Sequence, residues 1–264
     1  MSILKEIHEY KLKFVNEKKA SKSLAQLIKE CNKLESNKVN KFSKKLFSEK
    51  NKKISIIGEL KRSSPSAGII ANNNIDLINI AKIYEDNNIS CLSILTDEKY
   101  FKGNNIDLIR ISQNINIPIL RKDFIVDEYQ IYESKIIGAD CILLILSILS
   151  DDQALLFEKV AHQIGLDVLI EVHDENEMNR AQKMNSQLIG INNRNLNDFS
   201  VDINNSINIS QNVNENKLII AESGINNKKD IQKIMSNSKI DTFLIGESLM
   251  RSKDLSKSIR NLIS

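Results

Sequence analysis

Eight short runs of apolar residues, rich in isoleucine, leucine and valine, recur along the chain from residue 54 onward. Each run is followed by a polar or glycine-containing turn and then by a stretch with helical spacing. Nearly uninterrupted apolar runs are typical of parallel strands that are buried on both faces. The predicted strands cover residues 54–60, 91–96, 119–122, 141–146, 168–172, 188–192, 218–222 and 242–246.

Helical patterns separate these runs, the clearest at 75–84, 128–137, 154–163, 175–184 and 228–235. A strand recurring every ~20–40 residues with a helix after it is a βα unit, and eight units predict an α/β fold of the closed (βα)8, or TIM-barrel, type. An open doubly wound sheet is the alternative. It usually has fewer strands, and the glycine-rich first turn of a dinucleotide-binding fold is missing here.

Residues 1–50 have a helical pattern without glycine or proline, and they predict extra N-terminal helices ahead of a barrel at 54–264. Ile3, Ile7 and Leu12 fall roughly on one helical face, and Leu24 and Leu27 on another. The charged residues between them are interpreted as a solvated helix surface. No composition break divides the barrel, so we expect a single domain over 1–264.

Composition narrows the class of protein. Hydrophobic residues make up 41% and charged residues 27%, as in a globular protein with a core, and a net charge of +3 gives no footprint for nucleic acid. The N-terminus lacks the apolar run of a signal peptide, and no stretch reaches the ~20 apolar residues that span a bilayer. Cys31, Cys91 and Cys141 fit neither a zinc site nor a redox pair, so we expect reduced, buried thiols in a cytoplasmic protein.

Charged residues stand at the ends of five of the apolar runs. In a (βα)8 barrel these ends converge on one mouth, where the active site is built, and a charge next to a buried strand is unfavourable unless it is paired. The polar and aromatic residues at or just beyond the run ends are Glu59, Lys61, Thr96, Lys122, Phe124, Glu171, Asn192, Arg194, Glu222, Ser223 and Glu247.

Glycines predict a phosphate site at the same mouth. Gly224 follows the seventh run and Gly246 ends the eighth, and both precede helical sequence. In barrels, backbone N–H groups and a helix start at these two positions face an anion. Ser64 and Ser66 after the first run add hydroxyls. The residues alone therefore predict an enzyme with lysines and carboxylates for acid–base work on a phosphorylated small molecule.

Histidines add no metal site to this interpretation, and we expect neither a metal nor a cofactor. The three histidines are scattered, and His8 and His162 are interpreted as helix-surface residues. His173 follows Glu171 by two residues and therefore shares its strand face if the strand extends that far. We interpret it as a structural residue at a strand end.

At these motifs the chain resembles the indole-3-glycerol-phosphate synthase family. The matching segments cover nearly the whole chain from residue 56, in the order found in the family. They are IIGELKRSSPSAG, LSILTDEKYFKG, LRKDFIVDEYQIYES, GADCILLI, LIEVHDENEM, IGINNRNL, AESGI and LIGESLMRS. Gly58 beside Glu59, where the family more often has alanine, is a small departure that affects packing.

The resemblance implies ring closure of 1-(2-carboxyphenylamino)-1-deoxyribulose 5-phosphate to indole-3-glycerol phosphate, with release of CO2 and water, in tryptophan biosynthesis. It implies Lys122 as general acid and Glu171 as general base or charge stabiliser. Lys61 would hold the substrate carboxylate, Glu59 would orient the lysines, and Asn192 would bind sugar hydroxyls. The remaining implied substrate-binding residues are Ser64, Phe124, Arg194, Glu222, Ser223, Gly224, Leu244, Gly246 and Glu247.

Three points remain open at this stage. Another phosphate-binding barrel, such as phosphoribosylanthranilate isomerase, would need a cysteine–aspartate pair, and Cys91 opens its run at the wrong end. A non-catalytic barrel should have lost some mouth charges, and none is missing. Residues 1–53 hold 15 lysines and 6 glutamates, a net +9 that either draws in an anionic substrate or is a solvated surface. We expect a monomer that binds a small phosphorylated substrate, no nucleic acid and no membrane.

Overall fold

The computed structural model describes residues 3–34, 40–51, 54–72, 74–196 and 198–263, and its centre is a closed barrel of eight parallel strands. Each strand pairs with its sequence neighbours, and the last closes the barrel on the first. The strands are β1 Ser55–Leu60, β2 Cys91–Leu95, β3 Ile119–Lys122, β4 Cys141–Ile145, β5 Asp167–Val172, β6 Leu188–Asn192, β7 Leu218–Glu222 and β8 Thr242–Ile245. The predicted fold class is therefore confirmed.

Successive side chains of each strand point alternately into the barrel and outward to the helices. In β1, Ile57 packs inside the barrel, whereas Ile56 and Leu60 pack outward against the helices. The lower part of the interior is filled by Ile57, Leu120, Leu143, Leu169, Leu188, Ile220 and neighbouring apolar side chains. The same alternation brings the last inward position of several strands to the mouth, where the side chains are polar.

Thirteen α-helices are described, and those after the strands form the outer layer. In chain order they are α1 Ile3–Ser21, α2 Leu24–Cys31, α3 Lys41–Glu49, α4 Leu77–Asp86, α5 Glu98–Phe101, α6 Asn105–Ser112, α7 Glu128–Ile136, α8 Asp151–Gln163, α9 Glu175–Ala181, α10 Asn204–Ile209, α11 Lys228–Asn237, α12 Glu247–Met250 and α13 Leu255–Ile263. Many begin at an Asp, Asn or Ser side chain that accepts a backbone N–H bond, as Asp76 does for α4.

The N-terminal helices cover both ends of the barrel. Helix α1 lies at the mouth, where Ile3, Leu4 and Ile7 line the central cavity. Helix α3 closes the opposite end, because Phe42 and Leu46 are fully buried against the lower interior of the barrel. The N-terminal extension therefore covers the end of the barrel opposite the mouth as well as the mouth itself. Residues 1, 2 and 35–39 of the predicted extension lie outside the described residues.

The buried face of α1 also differs from the predicted one. Ile7, Lys11 and Val15 are buried, whereas Leu12 is 38% exposed. Lys11 was interpreted as part of a solvated surface, but its ammonium lies 2.9 Å from Asp97 and 2.6 Å from Asp123. Two carboxylates compensate the lost hydration of this lysine, and the charged residue therefore replaces an apolar one on the packed face.

Two further observations concern membranes and thiols. No helix in the described ranges is both long and apolar enough to cross a lipid bilayer. Cys31, Cys91 and Cys141 are free and buried, and Cys91 lies in the lower interior near Phe42, far from the mouth.

Candidate active site

A layer of polar side chains occupies the top of the barrel interior. Glu59, Glu171, Asn192 and Glu222 are at most 8% exposed, and Lys122 joins them at the end of β3. Each stands two residues beyond an inward apolar or small residue of its strand, so strand alternation aims all five at the barrel axis. They form the floor of a cavity of about 260 Å³ that opens at the mouth.

Lys122 is held between two carboxylates. Its Nζ lies 2.6 Å from Glu171 Oε2 and 2.9 Å from Glu222 Oε2. Burial alone would lower the pKa of Lys122, but the negative charges of Glu171 and Glu222 outweigh it and raise that pKa above its usual value. The lysine is therefore an ammonium ion at neutral pH, and its third N–H is available for a ligand.

The two carboxylates next to Lys122 titrate differently. Burial would raise the pKa of Glu171, but Lys122 and then His173 outweigh burial and hold it below its usual range. Burial is the largest influence on Glu222 and, with repulsion from Glu171, raises its pKa to about 7 against the attraction of Lys122. One site thus offers an ionised carboxylate and a carboxyl that exchanges its proton near neutral pH.

Glycines make room for these acids. A Cβ on Gly190 of β6 would overlap Glu222 Oε1, and one on Gly246 would lie 2.5 Å from Glu59 Oε1. Glu59 in turn forms an ion pair with Lys61 at 2.6 Å. The lack of a side chain at Gly246 therefore leaves space for Glu59.

The rim after β7 and β8 has the backbone geometry that favours an anion site. Ser223 and Gly224 have φ values of 62° and 79°, and the second of these favours glycine. Helix α12 begins at Glu247 directly after β8, so its first N–H groups lack intrahelical acceptors. The Glu247 carboxylate instead pairs with Arg251 at 3.1 Å, one turn further on.

All fourteen site residues predicted from the sequence line this one cavity. Phe124 forms a wall with Phe101, their ring centroids being 6.1 Å apart. Asn192 donates to Glu171 Oε1 at 3.2 Å, and the guanidinium of Arg194 donates to the Phe199 carbonyl at 3.3 Å. The structure therefore brings these residues together around one cavity.

The sequence did not predict several residues that meet the cavity. The apolar wall from α1, together with Leu196 and Phe199, lies on segments whose approach to the mouth depends on tertiary folding. His173 was interpreted as structural, but its Nε2 lies 3.4 Å from Glu171 Oε1. The spacing of residues 171 and 173 suggested a shared strand face, but β5 ends at Val172, and the ring reaches Glu171 from the residue that follows the strand.

Comparison with known proteins decides the family. A family model described as indole-3-glycerol phosphate synthase matches residues 4–262. The chain belongs to this family. The indole-3-glycerol phosphate synthase of Legionella pneumophila strain Lens is 43% identical over 263 residues, covering 100% of this chain and 99% of that protein. The protein of the same name from Acetivibrio thermocellus is 45% identical over 210 residues, 80% of each chain.

Membership in the indole-3-glycerol phosphate synthase family confirms the activity class predicted from the motifs, a decarboxylating carbon–carbon lyase of tryptophan biosynthesis. Solved structures with 11% identity show the shared fold alone. The tryptophan synthase α2β2 complex from Pyrococcus furiosus matches with a TM-score of 0.57 over 80% of this chain and 98% of that chain. Phosphoribosylanthranilate isomerase from Thermotoga maritima matches with a TM-score of 0.56 over 79% and 96%.

Metal ligands are not grouped at this site. Within the part of the chain that the structure describes, no cluster of three or more His, Cys, Asp or Glu side chains is placed to hold a metal ion.

Proposed function

We propose that the cavity closes the indole ring of 1-(2-carboxyphenylamino)-1-deoxyribulose 5-phosphate, releasing CO2 and water, with Lys122 as the principal acid. The observation that carries this proposal is the ammonium of Lys122 between Glu171 and Glu222 at the floor of a cavity with an anion-binding rim. A phosphate at that rim would place the sugar carbonyl deeper, towards the lysine.

The reaction needs two protons delivered and one removed. The ring carbon that bears the carboxylate attacks the ribulose carbonyl, whose oxygen takes up the first proton. Loss of CO2 restores the aromatic ring. The new hydroxyl then leaves as water with a second proton, while the neighbouring carbon loses one. Net uptake is one proton per turnover, so the site must hold both acids and a base.

Lys122 is suited to the first proton transfer. It is a buried ammonium with two N–H groups engaged by carboxylates, which fix its position, and a third that can point to the carbonyl oxygen. Transfer of its proton to the oxygen leaves a neutral amine between Glu171 and Glu222. Glu222, with its pKa of about 7, is placed to return a proton to that amine.

Glu171 is suited to the base step because its carboxylate is ionised and anchored. Lys122 engages Oε2, and Asn192 engages Oε1. We assign Glu171 to removal of the carbon-bound proton during dehydration, and Asn192 to the sugar hydroxyls through the remaining bonding capacity of its amide.

The second lysine is assigned to the substrate carboxylate. Lys61 is paired with Glu59, 16% exposed at its side chain, and placed at the cavity wall. Its charge would hold the carboxylate until CO2 departs, with Glu59 orienting it and taking part in the later proton steps. Arg194 would assist on the anionic side, and Phe124 and Leu244 would flank the aromatic ring.

The phosphate is assigned to the opposite side of the mouth. Ser64, Ser223, Gly224, Gly246 and Glu247 would surround it, the last three mainly through backbone N–H groups. Support comes from the positive φ angles at Ser223 and Gly224 and from the start of α12. In addition, Ser64 belongs to a short antiparallel hairpin formed by Ser63–Ser64 and Gly68–Ile69, and it lines the same cavity as Ser223 and Gly224.

The test follows indole fluorescence after mixing purified protein with the deoxyribulose phosphate substrate. Lys122→Ala should lower kcat by at least about 100-fold, because a general acid contributes that much, while circular dichroism stays native. Lys159→Ala, an exposed lysine of α8, is the matched control and should retain full turnover. Near-normal turnover in Lys122→Ala would refute the assigned role, and absence of turnover in the unaltered protein would refute the function.

Two further expectations belong to this proposal. A monomer should elute in size-exclusion chromatography at the volume of a 30.0 kDa protein, and a dimer would contradict it. A cytoplasmic location is inferred from the biosynthetic role, and fractionation of cells that express the protein is the direct check.

A further inference from the structure

His173 is held in a fixed orientation at the end of β5. Its Nδ1 lies 3.0 Å from Glu177 Oε2, and the same carboxylate oxygen accepts the His173 backbone N–H at 2.9 Å. Glu177 belongs to α9, so one helix residue fixes both the ring and the backbone of the histidine. Asn205 adds a bond to the His173 carbonyl at 3.1 Å and another to the Asn192 carbonyl at 3.3 Å.

The bonds to Glu177 and Asn205 turn the other ring nitrogen of His173 towards Glu171. His173 Nε2 is buried, lies 3.4 Å from Glu171 Oε1, and has no hydrogen-bond partner among the residues that the structure describes. Because Nδ1 is engaged by a carboxylate, it carries a proton, and a second proton on Nε2 makes the ring a cation between two anions. The contact at 3.4 Å is an ion pair rather than a well-aligned hydrogen bond.

From this geometry we propose that His173 is a positioning residue for Glu171, a clamped imidazolium that holds the carboxylate ionised and oriented towards the substrate. The inference rests on the function proposed above, in which Glu171 is the base. It assigns His173 no contact with the reacting atoms. Its partner Glu177 is equally part of the device, because the histidine loses its fixed orientation without it.

Other charged groups act on the same carboxylate. Lys122 approaches Glu171 from β3 at 2.6 Å, Glu222 lies across that lysine on β7, and Glu59 stands on β1. Lys122 is the stronger influence on the pKa of Glu171, and His173 is the next. Lys122, however, is also engaged by Glu222 and gives up a proton during turnover, whereas His173 is outside the proton transfers. The histidine can thus keep Glu171 ionised when the lysine is transiently neutral.

The pKa of His173 follows from its partners. Burial would lower the pKa of His173, but its contacts with the carboxylates of Glu171 and Glu177 outweigh burial and raise that pKa to about 10. His173 is therefore fully protonated at neutral pH. Its stabilising contribution is lost only as the pH rises towards its pKa of about 10. Removing the cation should raise the pKa of Glu171, so the base becomes protonated at a higher pH than in the unaltered protein.

The experiment compares pH profiles of kcat/KM and kcat, from indole fluorescence, in the unaltered protein and in His173→Gln and Glu177→Gln. For His173→Gln we expect the acid limb to move upward by about 1 pH unit or more, kcat to fall and KM to change little. Glu177→Gln should show a smaller shift in the same direction. His162→Gln, an exposed histidine of α8, is the control and should match the unaltered protein.

A second measurement does not depend on activity. The chain has only three histidines, so the His173 resonance in an NMR titration is assigned by its loss in His173→Gln. It should remain in the protonated position through pH 8. Titration of His173 near pH 6.5, or an acid limb of His173→Gln that superimposes on the unaltered one, would overturn the inference. Absence of indole formation by the unaltered protein would instead overturn the function, and the titration would still decide the contact.

Discussion

Small residues inside the barrel determine how the acids of the mouth pack. Gly190 faces inward from β6, and the side chain of Glu222 from β7 fills the space that a larger residue would take. Gly246, just after β8, does the same for Glu59 of the neighbouring strand β1. The absence of a side chain at these two positions is therefore a condition for the charges to reach their observed positions around Lys122.

Gly190→Ala is expected to displace a side chain of the site without removing any of its charged groups. The added methyl group displaces Glu222, which weakens its contact with Lys122, and kcat/KM should fall on the order of 100-fold because of misplacement. Overpacking should also lower the free energy of unfolding by roughly 1–3 kcal/mol. Urea unfolding and the fluorescence assay measure both. Ser93→Ala, an inward change on β2 that adds no atoms, is the control. Unchanged turnover in Gly190→Ala would show that Glu222 needs no fixed position.

Gly58 illustrates what a sequence conceals at this scale. The sequence shows glycine where the family more often has alanine, but the residue that requires glycine lies on another element. A Cβ there would come within 2.7 and 2.8 Å of the ring of Tyr84 on α4, which is fully buried. The motif fixes the position of Glu59 on β1, whereas the neighbour of Gly58 depends on how α4 packs on the barrel.

We expect Gly58→Ala to destabilise the protein by roughly 1–3 kcal/mol through this overlap. Tyr84→Leu in the same chain should remove the clash, so the pair should be more stable than the sum of the single effects predicts, by about 1 kcal/mol. A double-mutant cycle from urea unfolding gives this coupling. Strict additivity would show that the two residues do not compete for space.

At the scale of elements, the strands were predictable because burial on both faces leaves a simple signature. The predicted ends agree with the observed ones within one residue, and β3, β6 and β7 coincide with their predicted ranges. Because strand ends converge in a barrel, the site residues could be predicted as a group. The position of α3 could not, since an apolar helix face does not reveal which end of the barrel it covers.

Helix α1 is attached to the mouth by charge as well as by apolar contact. Lys11 bridges Asp97, which caps α5, and Asp123, which follows Lys122 in the chain. Burial would raise the pKa of Asp123, but Lys11 and then Arg121 outweigh it and lower that pKa to about 2. The depressed pKa contributes stability above the unfolded value near 4, and this contribution is lost as the pH falls towards 2.

Lys11→Met should therefore release α1. Two buried carboxylates would lose their cation, which destabilises the packed position of α1 by roughly 3–5 kcal/mol. We expect the helix to detach locally, because detachment returns these carboxylates to water without unfolding the barrel. Hydrogen exchange in α1 should rise, and kcat/KM should fall because Ile3, Leu4 and Ile7 no longer wall the cavity. Lys13→Met, an exposed lysine two residues away, is the control. Unchanged exchange in α1 would show that apolar packing alone holds the helix.

Across the whole molecule, part of the lysine excess in the N-terminal segment is paired with carboxylates of the barrel. The carboxylates lie in the barrel loops and helices: Lys11 pairs with Asp97 and Asp123, Lys18 with Glu133, and Lys19 with Asp127. The +9 of residues 1–53 is therefore partly neutralised by carboxylates beyond that segment. The sequence showed the imbalance but not this pairing, because each partner lies far along the chain.

This distribution argues against long-range steering by the segment. The substrate carries a carboxylate and a phosphate, so kcat/KM should depend on ionic strength through the lysines and arginine of the mouth. The combined variant Lys13→Gln, Lys29→Gln and Lys33→Gln removes three exposed charges of the segment. We expect its kcat/KM to show the same salt dependence as the unaltered protein, measured from about 20 to 300 mM salt. A weaker salt dependence of kcat/KM in the variant would mean that the exposed lysines of the segment attract the anionic substrate. The charge of the segment would then speed substrate association in addition to attaching α1.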